Sequence, residues 1–90
     1  MKLLIQIPCF NEEEALPVTL KEIPKSFEGI DEVEILIIDD GSKDKTIDVA
    51  REHGVNHIVK MTNHKGLAAG FAAGIDACLQ LGADIIVNTD

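Results

Sequence analysis

Four short apolar runs alternate along the chain with three segments in which apolar residues recur every three or four positions. Short, nearly unbroken apolar runs are typical of strands that are covered on both faces, whereas the longer spacing is typical of amphipathic helices. The predicted strands are 2–8, 33–39, 57–61 and 83–88. The predicted helices are 15–23, 44–53 and 67–81, of which the last two are each followed by a glycine suited to a helix end.

This βαβαβαβ order predicts an α/β protein, with a Rossmann-like three-layer α/β/α arrangement around a parallel sheet. We expect the strand order 3-2-1-4, which is the arrangement of a nucleotide-binding half. In that order the chain reverses beside the first strand and opens a crevice at the carboxyl ends of the strands, where open α/β sheets bind ligands. Loops that are far apart in sequence should therefore meet at one edge of the sheet.

The first of these loops, residues 8–14, carries Asn11 followed by three glutamates. Pro17 fits a helix only within its first turn, so the helix should begin near Ala15 and leave residues 11–13, with Asn11 and Glu12, outside it. The structural alternative is that Asn11 caps a helix whose first turn carries the glutamates. The first interpretation makes Asn11 and Glu12 candidate ligand-binding residues.

The second loop begins with Asp39 and Asp40, followed by Gly41 and Ser42. Adjacent carboxylates repel each other, so at least one should face solvent, a donor-rich ligand or a cation. Sugar hydroxyls and base N–H groups are donors of this kind. The structural alternative is a turn made by Asp40 and Gly41, with Ser42 or Asp44 capping the next helix.

The third loop contains Asn63, Lys65 and Gly66 and precedes a helix with further glycines at positions 70 and 74. Glycines at this spacing allow a helix to pack close to a sheet. The helix N-terminus, with Lys65 beside it, is suited to an anionic diphosphate.

Asp90 follows the fourth predicted strand and should belong to the same edge. A carboxylate there is suited to a ribose hydroxyl or to a divalent cation, while the structural alternative is an ordinary exposed Asp. Because so many carboxylates would repel a diphosphate, the acidity of this edge argues for a cation.

Composition narrows the function classes. The 90 residues, 46% hydrophobic and 27% charged, describe one globular domain rather than a two-domain enzyme. A formal net charge of -8 and the absence of Trp and Tyr argue against nucleic acid as a partner.

No apolar stretch reaches the ~20 residues of a membrane span and no signal peptide is visible, so we expect a cytoplasmic chain. Cys9 and Cys78 do not form a Cys-x-x-Cys pair and are expected to be reduced structural thiols.

Taken in order, the motifs resemble those of inverting family 2 glycosyltransferases with the GT-A fold, particularly the polyprenol-phosphate mannose or glucose synthases. The segments that carry the resemblance are Pro-Cys-Phe-Asn-Glu-Glu (8–13), Asp-Asp-Gly-Ser (39–42), Asn-His-Lys-Gly (63–66) and Asn-Thr-Asp (88–90). The resemblance implies transfer of a sugar from a UDP- or GDP-linked donor, with Mg²⁺ or Mn²⁺, to an acceptor such as a polyprenyl phosphate.

The resemblance also implies roles for individual residues. Pro8, Phe10 and Glu12 would contact the base and ribose. Asp39, with Asp40 nearby, would recognise the base. The full set of candidate donor-binding residues is Pro8, Phe10, Asn11, Glu12, Asp39, Asp40, Gly41, Ser42, Asn63, Lys65 and Gly66, with Lys65 near the diphosphate and Asp90 as the metal ligand that opens a D-x-D motif.

The later Asp of that motif, the acceptor half and a catalytic base are absent from the sequence, so no catalytic residue is assigned. We expect residues 1–90 to be the nucleotide-sugar-binding half of a glycosyltransferase, binding nucleotide without turnover and prone to self-association through an open sheet edge. The resemblance places the intact protein at the cytoplasmic membrane face. Two alternatives stay open: a non-catalytic nucleotide-binding or interaction module, and an NAD-dependent oxidoreductase, which lacks its G-x-G-x-x-G turn here.

Overall fold

The computed structural model describes residues 1–61 and 66–89, which form four parallel strands and three helices. In chain order the elements are β1 (Lys2–Cys9), α1 (Leu16–Glu22), β2 (Glu32–Asp39), α2 (Thr46–Glu52), β3 (His57–Lys60), α3 (Leu67–Gln80) and β4 (Ile85–Asn88). Every predicted element is present, and each observed end lies within two residues of the predicted one. The predicted α/β class is therefore confirmed.

The sheet has the order β3-β2-β1-β4, as predicted from the sequence. Cys9 at the end of β1 pairs with Asp39 at the end of β2, so the two central strands finish at the same level. Gln6 of β1 pairs with Asn88 at the end of β4. The loops that follow β1 and β2 therefore start side by side.

Alternate residues of the central strands enter two separate cores, which gives the predicted three layers. Apolar residues of β1 and β2 pack against α1 and α2 on one face; the buried members are Leu3, Ile5, Ile7, Cys9, Leu16, Leu20, Ile35, Ile37 and Ala50. The opposite face packs against α3 and contains Leu4, Leu36, Ile38 and Cys78. Both cysteines are unpaired and buried, as expected for structural thiols.

Helix α3 lies close to the sheet because glycines face it, which confirms the predicted role of their spacing. A Cβ atom placed on Gly74 would overlap Gln6 Oε1 and lie 2.7 Å from Ile38 Cδ1. A Cβ atom on Gly70 would meet Ile38 Cγ2 at an ordinary 3.5 Å. Of the two positions, only 74 excludes a side chain on steric grounds.

The helix starts decide between the alternatives for the first two loops. Helix α1 begins after Ala15 with Pro17 in its first turn and with no side-chain cap, so Asn11 and Glu12 lie outside the helix and Asn11 does not cap it. At α2 the N-cap residue is Lys45, whose side chain makes no capping bond; Asp44 lies one position before it and accepts the Thr46 N–H on Oδ1 at 2.9 Å.

Within residues 1–61 and 66–89, no helix has both the length and the apolar character required to cross a membrane.

Candidate functional site

A cavity of about 470 Å³ lies where β1 and β2 end and α3 begins. Its lining residues are Pro8, Cys9, Phe10, Glu12, Ile38, Asp40, Gly66, Leu67 and Gly70. The lining comes from three chain segments that are far apart in sequence, at the edge where open α/β sheets bind ligands. The structure therefore brings together the first two predicted loops and the end of the third.

Five of the predicted site residues line this cavity: Pro8, Phe10, Glu12, Asp40 and Gly66. Sequence reasoning missed four others: Cys9, Ile38, Leu67 and Gly70. Ile38 and Gly70 carry no polar group that would mark a site. Their position follows from the pairing of α3 with β2, since Gly70 packs against Ile38.

Asn11 and Ser42 do not line the cavity. They form hydrogen bonds that join the first loop to the second. The Asn11 backbone N–H donates to Ser42 Oγ at 2.8 Å, and the Lys43 backbone N–H donates to Asn11 Oδ1 at 2.8 Å. Asn11 has a φ of 51°, which Asn tolerates better than most residues. Gly41, with a φ of 88°, supplies the predicted turn geometry.

A second set of contacts joins the first loop to the start of α2. The Glu12 N–H donates to Thr46 Oγ1 at 2.8 Å, and the Glu13 N–H donates to Asp44 Oδ2 at 3.2 Å. The Thr46 hydroxyl in turn donates to Asp44 Oδ1. The hydrogen bonds that Asp44 accepts, above all the one from the Thr46 hydroxyl, hold the pKa of Asp44 below its usual value.

Asp39 and Asp40 are both largely shielded from solvent, so of the three predicted partners a donor-rich ligand and a cation stay open. Their exposures are 2% and 9%, respectively. Backbone donors take the place of water: Ser42 N–H binds Asp39 Oδ2 at 3.0 Å, and Gly66 N–H binds Asp40 Oδ2 at 2.9 Å. Asp39 Oδ1 is buried without a hydrogen-bond partner among the described residues. A buried carboxylate oxygen in this state is suited to a ligand N–H or O–H.

Cys9 contributes to the cavity wall but has no nucleophilic character. Burial raises the pKa of its thiol to about 12, with further contributions from the charges of Glu12, Asp39 and Asp44. The thiol is therefore neutral at physiological pH.

The remaining predicted site residues, Asn63, Lys65 and Asp90, lie outside the described residues. The residue before Asp90, Thr89, donates its N–H to the Gln6 carbonyl at 3.1 Å, so β4 ends beside β1. Among residues 1–61 and 66–89, no three His, Cys, Asp or Glu side chains are grouped so that they could hold a metal ion. The described residues therefore do not form a metal cage by themselves.

The family model described as glycosyl transferase family 2 matches residues 4–90. The chain belongs to this family. This membership confirms the resemblance seen in the motifs and decides against an NAD-dependent oxidoreductase.

Similar proteins include an undecaprenyl-phosphate mannosyltransferase of Micrococcus luteus, 33% identical over 94 residues that cover 100% of this chain and 37% of that protein. A polyprenol monophosphomannose synthase of Mycolicibacterium smegmatis is 34% identical over 92 residues, covering 97% of this chain and 34% of that protein. The chain thus spans about a third of the length of these curated relatives.

Solved structures show the same fold at lower identity. Residues 1–349 of TarS from S. aureus match with a TM-score of 0.71 and 23% identity, covering 100% of this chain and 27% of that one. The mannosyltransferase PcManGT from Pyrobaculum calidifontis, in complex with GDP-Man and Mn²⁺, matches with a TM-score of 0.61 and 21% identity, covering 83% of this chain and 24% of that one. The chain therefore has the architecture of the amino-terminal part of a GT-A glycosyltransferase fold.

Proposed function

We propose that residues 1–90 are the nucleotide-sugar-binding half of a glycosyltransferase that transfers a sugar from a UDP- or GDP-linked donor to a polyprenyl phosphate. The observation that carries this proposal is the cavity of about 470 Å³ at the carboxyl ends of β1 and β2. Its size falls within the roughly 300–1,000 Å³ of small-molecule sites. The acceptor class is supported by the relatives, which are named for undecaprenyl phosphate and polyprenol.

In this proposal the apolar wall of the cavity receives the base and the acidic groups bind polar hydrogens. Phe10 and Leu67 are 40% and 59% exposed and offer apolar surface to the cavity, one from the β1 loop and one from α3. Asp39 does not line the cavity; it lies between the lining residues Ile38 and Asp40, and we assign its unpartnered Oδ1 as the acceptor for a base N–H that reaches past the cavity wall. Glu12, whose backbone is held by Thr46, offers a carboxylate to ribose hydroxyls.

The diphosphate of the donor needs positive charge at this edge. The partial positive charge at the N-terminus of α3 is favourable to an anion, but the Gly66 N–H there already binds Asp40. The cavity rim also carries two carboxylates, Glu12 and Asp40. We therefore assign charge neutralisation to Lys65 and to a Mg²⁺ or Mn²⁺ ion bound by Asp90.

A metal held in this way fits the sparse set of protein ligands. Mg²⁺ is commonly bound through one or two carboxylates together with substrate phosphates rather than in an all-protein cage. Such an ion neutralises charge on the departing nucleoside diphosphate. The complex of PcManGT with GDP-Man and Mn²⁺ supports this choice of ions.

The role of this half is to bind and orient the donor. A phosphate acceptor is already ionised, so its attack on the sugar needs little help from a base, and no residue of this chain is assigned that role. Binding without turnover, self-association and a cytoplasmic location, with the intact protein at the membrane face, stay predictions.

The test is a titration of the 90-residue chain with UDP, GDP and NAD, with and without Mn²⁺, followed by amide NMR shifts. We expect a nucleoside diphosphate to shift the amides of Phe10, Glu12 and Asp39. Asp39→Asn should weaken the binding, whereas Asp76→Asn, on the exposed side of α3, should not. Shifts caused only by NAD, or equal affinity of the Asp39→Asn chain, would contradict the proposal.

A further inference from the structure

Two motif residues, Asn11 and Ser42, stand beside the cavity without lining it. Asn11 lies between Phe10 and Glu12, both of which line the cavity. The Asn11 N–H and Oδ1 are bound to Ser42 Oγ and to the Lys43 N–H, each at 2.8 Å. With both groups directed at the second loop, Asn11 is placed to hold the two loops together rather than to contact a ligand.

The backbone conformation of Asn11 explains why this residue type suits the position. Its φ of 51° makes it the sole non-glycine with positive φ in the described part of the chain. Asn enters this region at lower cost than most side chains, and its amide oxygen can accept a local N–H. Glycine would keep the conformation but lose the acceptor, and alanine would lose both.

Ser42 links Asn11 to the buried carboxylate of Asp39. Its Oγ accepts the Asn11 N–H, while its own N–H donates to Asp39 Oδ2 at 3.0 Å. The bond to Oδ2 fixes the carboxylate with Oδ1 left unpartnered among the described residues. One serine thus joins the loop that carries Phe10 and Glu12 to the proposed base acceptor.

We propose that Asn11 and Ser42 are positioning residues of the donor site. They do not touch the donor; together they hold Phe10 and Glu12 at a fixed place relative to Asp39, and so determine how well the site discriminates between bases. This inference rests on the proposed function.

Breaking this link should leave the fold intact. Asn11 is exposed, and the same loop keeps a second attachment through the Glu12 N–H and Thr46 Oγ1, at 2.8 Å. Loss of the Asn11–Ser42 contact therefore loosens the loop instead of detaching it.

The first experiment measures the contact without any ligand. Hydrogen exchange of the Asn11 amide should be about 3- to 10-fold faster in Ser42→Ala than in the natural chain, since one hydrogen bond of ordinary strength is lost. Ser42→Thr, which keeps the hydroxyl, should restore the slow exchange. Equal exchange in all three chains would overturn the inference whether or not the chain binds nucleotides.

The second experiment measures binding of UDP, GDP, CDP and ADP by Asn11→Gly, Ser42→Ala and the double variant. Each single change removes one of the two bonds and should weaken the preferred nucleotide about 3- to 10-fold and reduce its preference over the other three, and the double variant should lose less than the sum of the two single losses. Ser42→Thr should bind like the natural chain. An equal loss for all four nucleotides, an additive double loss or no loss would overturn the inference.

The two experiments separate the two proposals. If the natural chain binds none of the nucleotides, the proposed function fails for this chain, and the exchange rates still decide whether Ser42 fixes the first loop. If it binds and the variants bind identically, the proposed function stands and the positioning role is wrong.

Discussion

The backbone N–H of Gly66 donates to the carboxylate of Asp40 at 2.9 Å, which ties the residue preceding α3 to the end of β2. Asp40 is 9% exposed, and Gly66 has a φ of 91°. One acidic side chain thus fixes the start of the helix that forms one wall of the cavity.

Replacing Asp40 should destabilise the protein. Asp40→Ala removes the acceptor for the Gly66 N–H and should lower the free energy of unfolding by about 1–3 kcal/mol. Asp40→Asn keeps an acceptor oxygen and should lose less. Urea denaturation of the three chains measures the difference, and an alanine variant as stable as the asparagine variant would contradict this assignment.

Two glycines of α3 should respond oppositely to alanine. At position 74 a Cβ meets Gln6 and Ile38, so Gly74→Ala should cost about 1–3 kcal/mol through overpacking. At position 70 the Cβ has ordinary contacts, and Gly70→Ala should gain up to about 1 kcal/mol of helix propensity. Thermal unfolding of the matched pair checks this. The prediction is wrong if Gly74→Ala melts at or above the temperature of Gly70→Ala.

Most of the fold follows from the sequence, since it depends on patterns that are local in the chain. The alternation of apolar runs with helical spacing predicts parallel strands, and the arrangement typical of a nucleotide-binding half predicts their order. The helix start near Ala15 follows from Pro17, a purely local constraint.

The site is less accessible from sequence because its contacts are between distant segments. Asn11 and Ser42 have the polar character of ligand-binding residues. Their polar groups instead form hydrogen bonds between the two loops, and the two residues lie 31 positions apart in the chain. Asp39 and Asp40 are buried with backbone N–H partners at Ser42 and Gly66, and residue type does not reveal the Gly66 donor, which lies 26 positions from Asp40. Ile38 and Gly70 join the cavity only through helix packing.

The interactions of Glu34 with Lys2 and His57 should make the stability of the fold decrease at acid pH. Glu34 Oε1 lies 2.8 Å from His57 Nε2 and 3.1 Å from Lys2 Nζ. The hydrogen bond from His57, followed by the interactions with Lys2, lowers the pKa of Glu34 from 4.5. A lowered pKa means that the folded chain binds the proton more weakly, so the stabilisation is complete above pH 4.5 and is lost as pH falls through the folded value.

Glu34→Gln removes this contribution. The variant should be less stable at neutral pH by about 1 kcal/mol or less, since the pair is partly exposed, and the difference should shrink on acidification. Asp44 also has a lowered pKa and contributes an acid dependence of its own. The stability difference between Asp44→Asn and the natural chain should therefore also shrink on acidification. Denaturation curves between neutral pH and pH 3 test the assignment, and a stability difference that grows on acidification would reverse it.

Neither cysteine should react with a thiol reagent in the folded protein. The Cys9 side chain is 2% exposed, with a thiol pKa raised to about 12 by burial, and Cys78 is fully buried. Iodoacetamide at pH 8 should label both residues in urea and neither in buffer, as read by mass spectrometry. Rapid labelling of Cys9 in buffer would show that the cavity wall opens.

The divalent ion proposed for the donor site should reveal its position by its magnetic effect. The described residues offer no three-ligand cluster, so the ion should bind weakly to the chain alone and more tightly with UDP or GDP, whose phosphates complete its coordination. With nucleotide present, Mn²⁺ should broaden the amide resonance of Thr89, which directly precedes Asp90, more than those of Glu13 and Glu14. Asp90→Asn should abolish this broadening and Glu13→Gln should leave it in place. If the broadening is instead strongest at Glu13 and Glu14 and persists in Asp90→Asn, the ion binds in the loop of residues 8–14 and Asp90 is not its ligand.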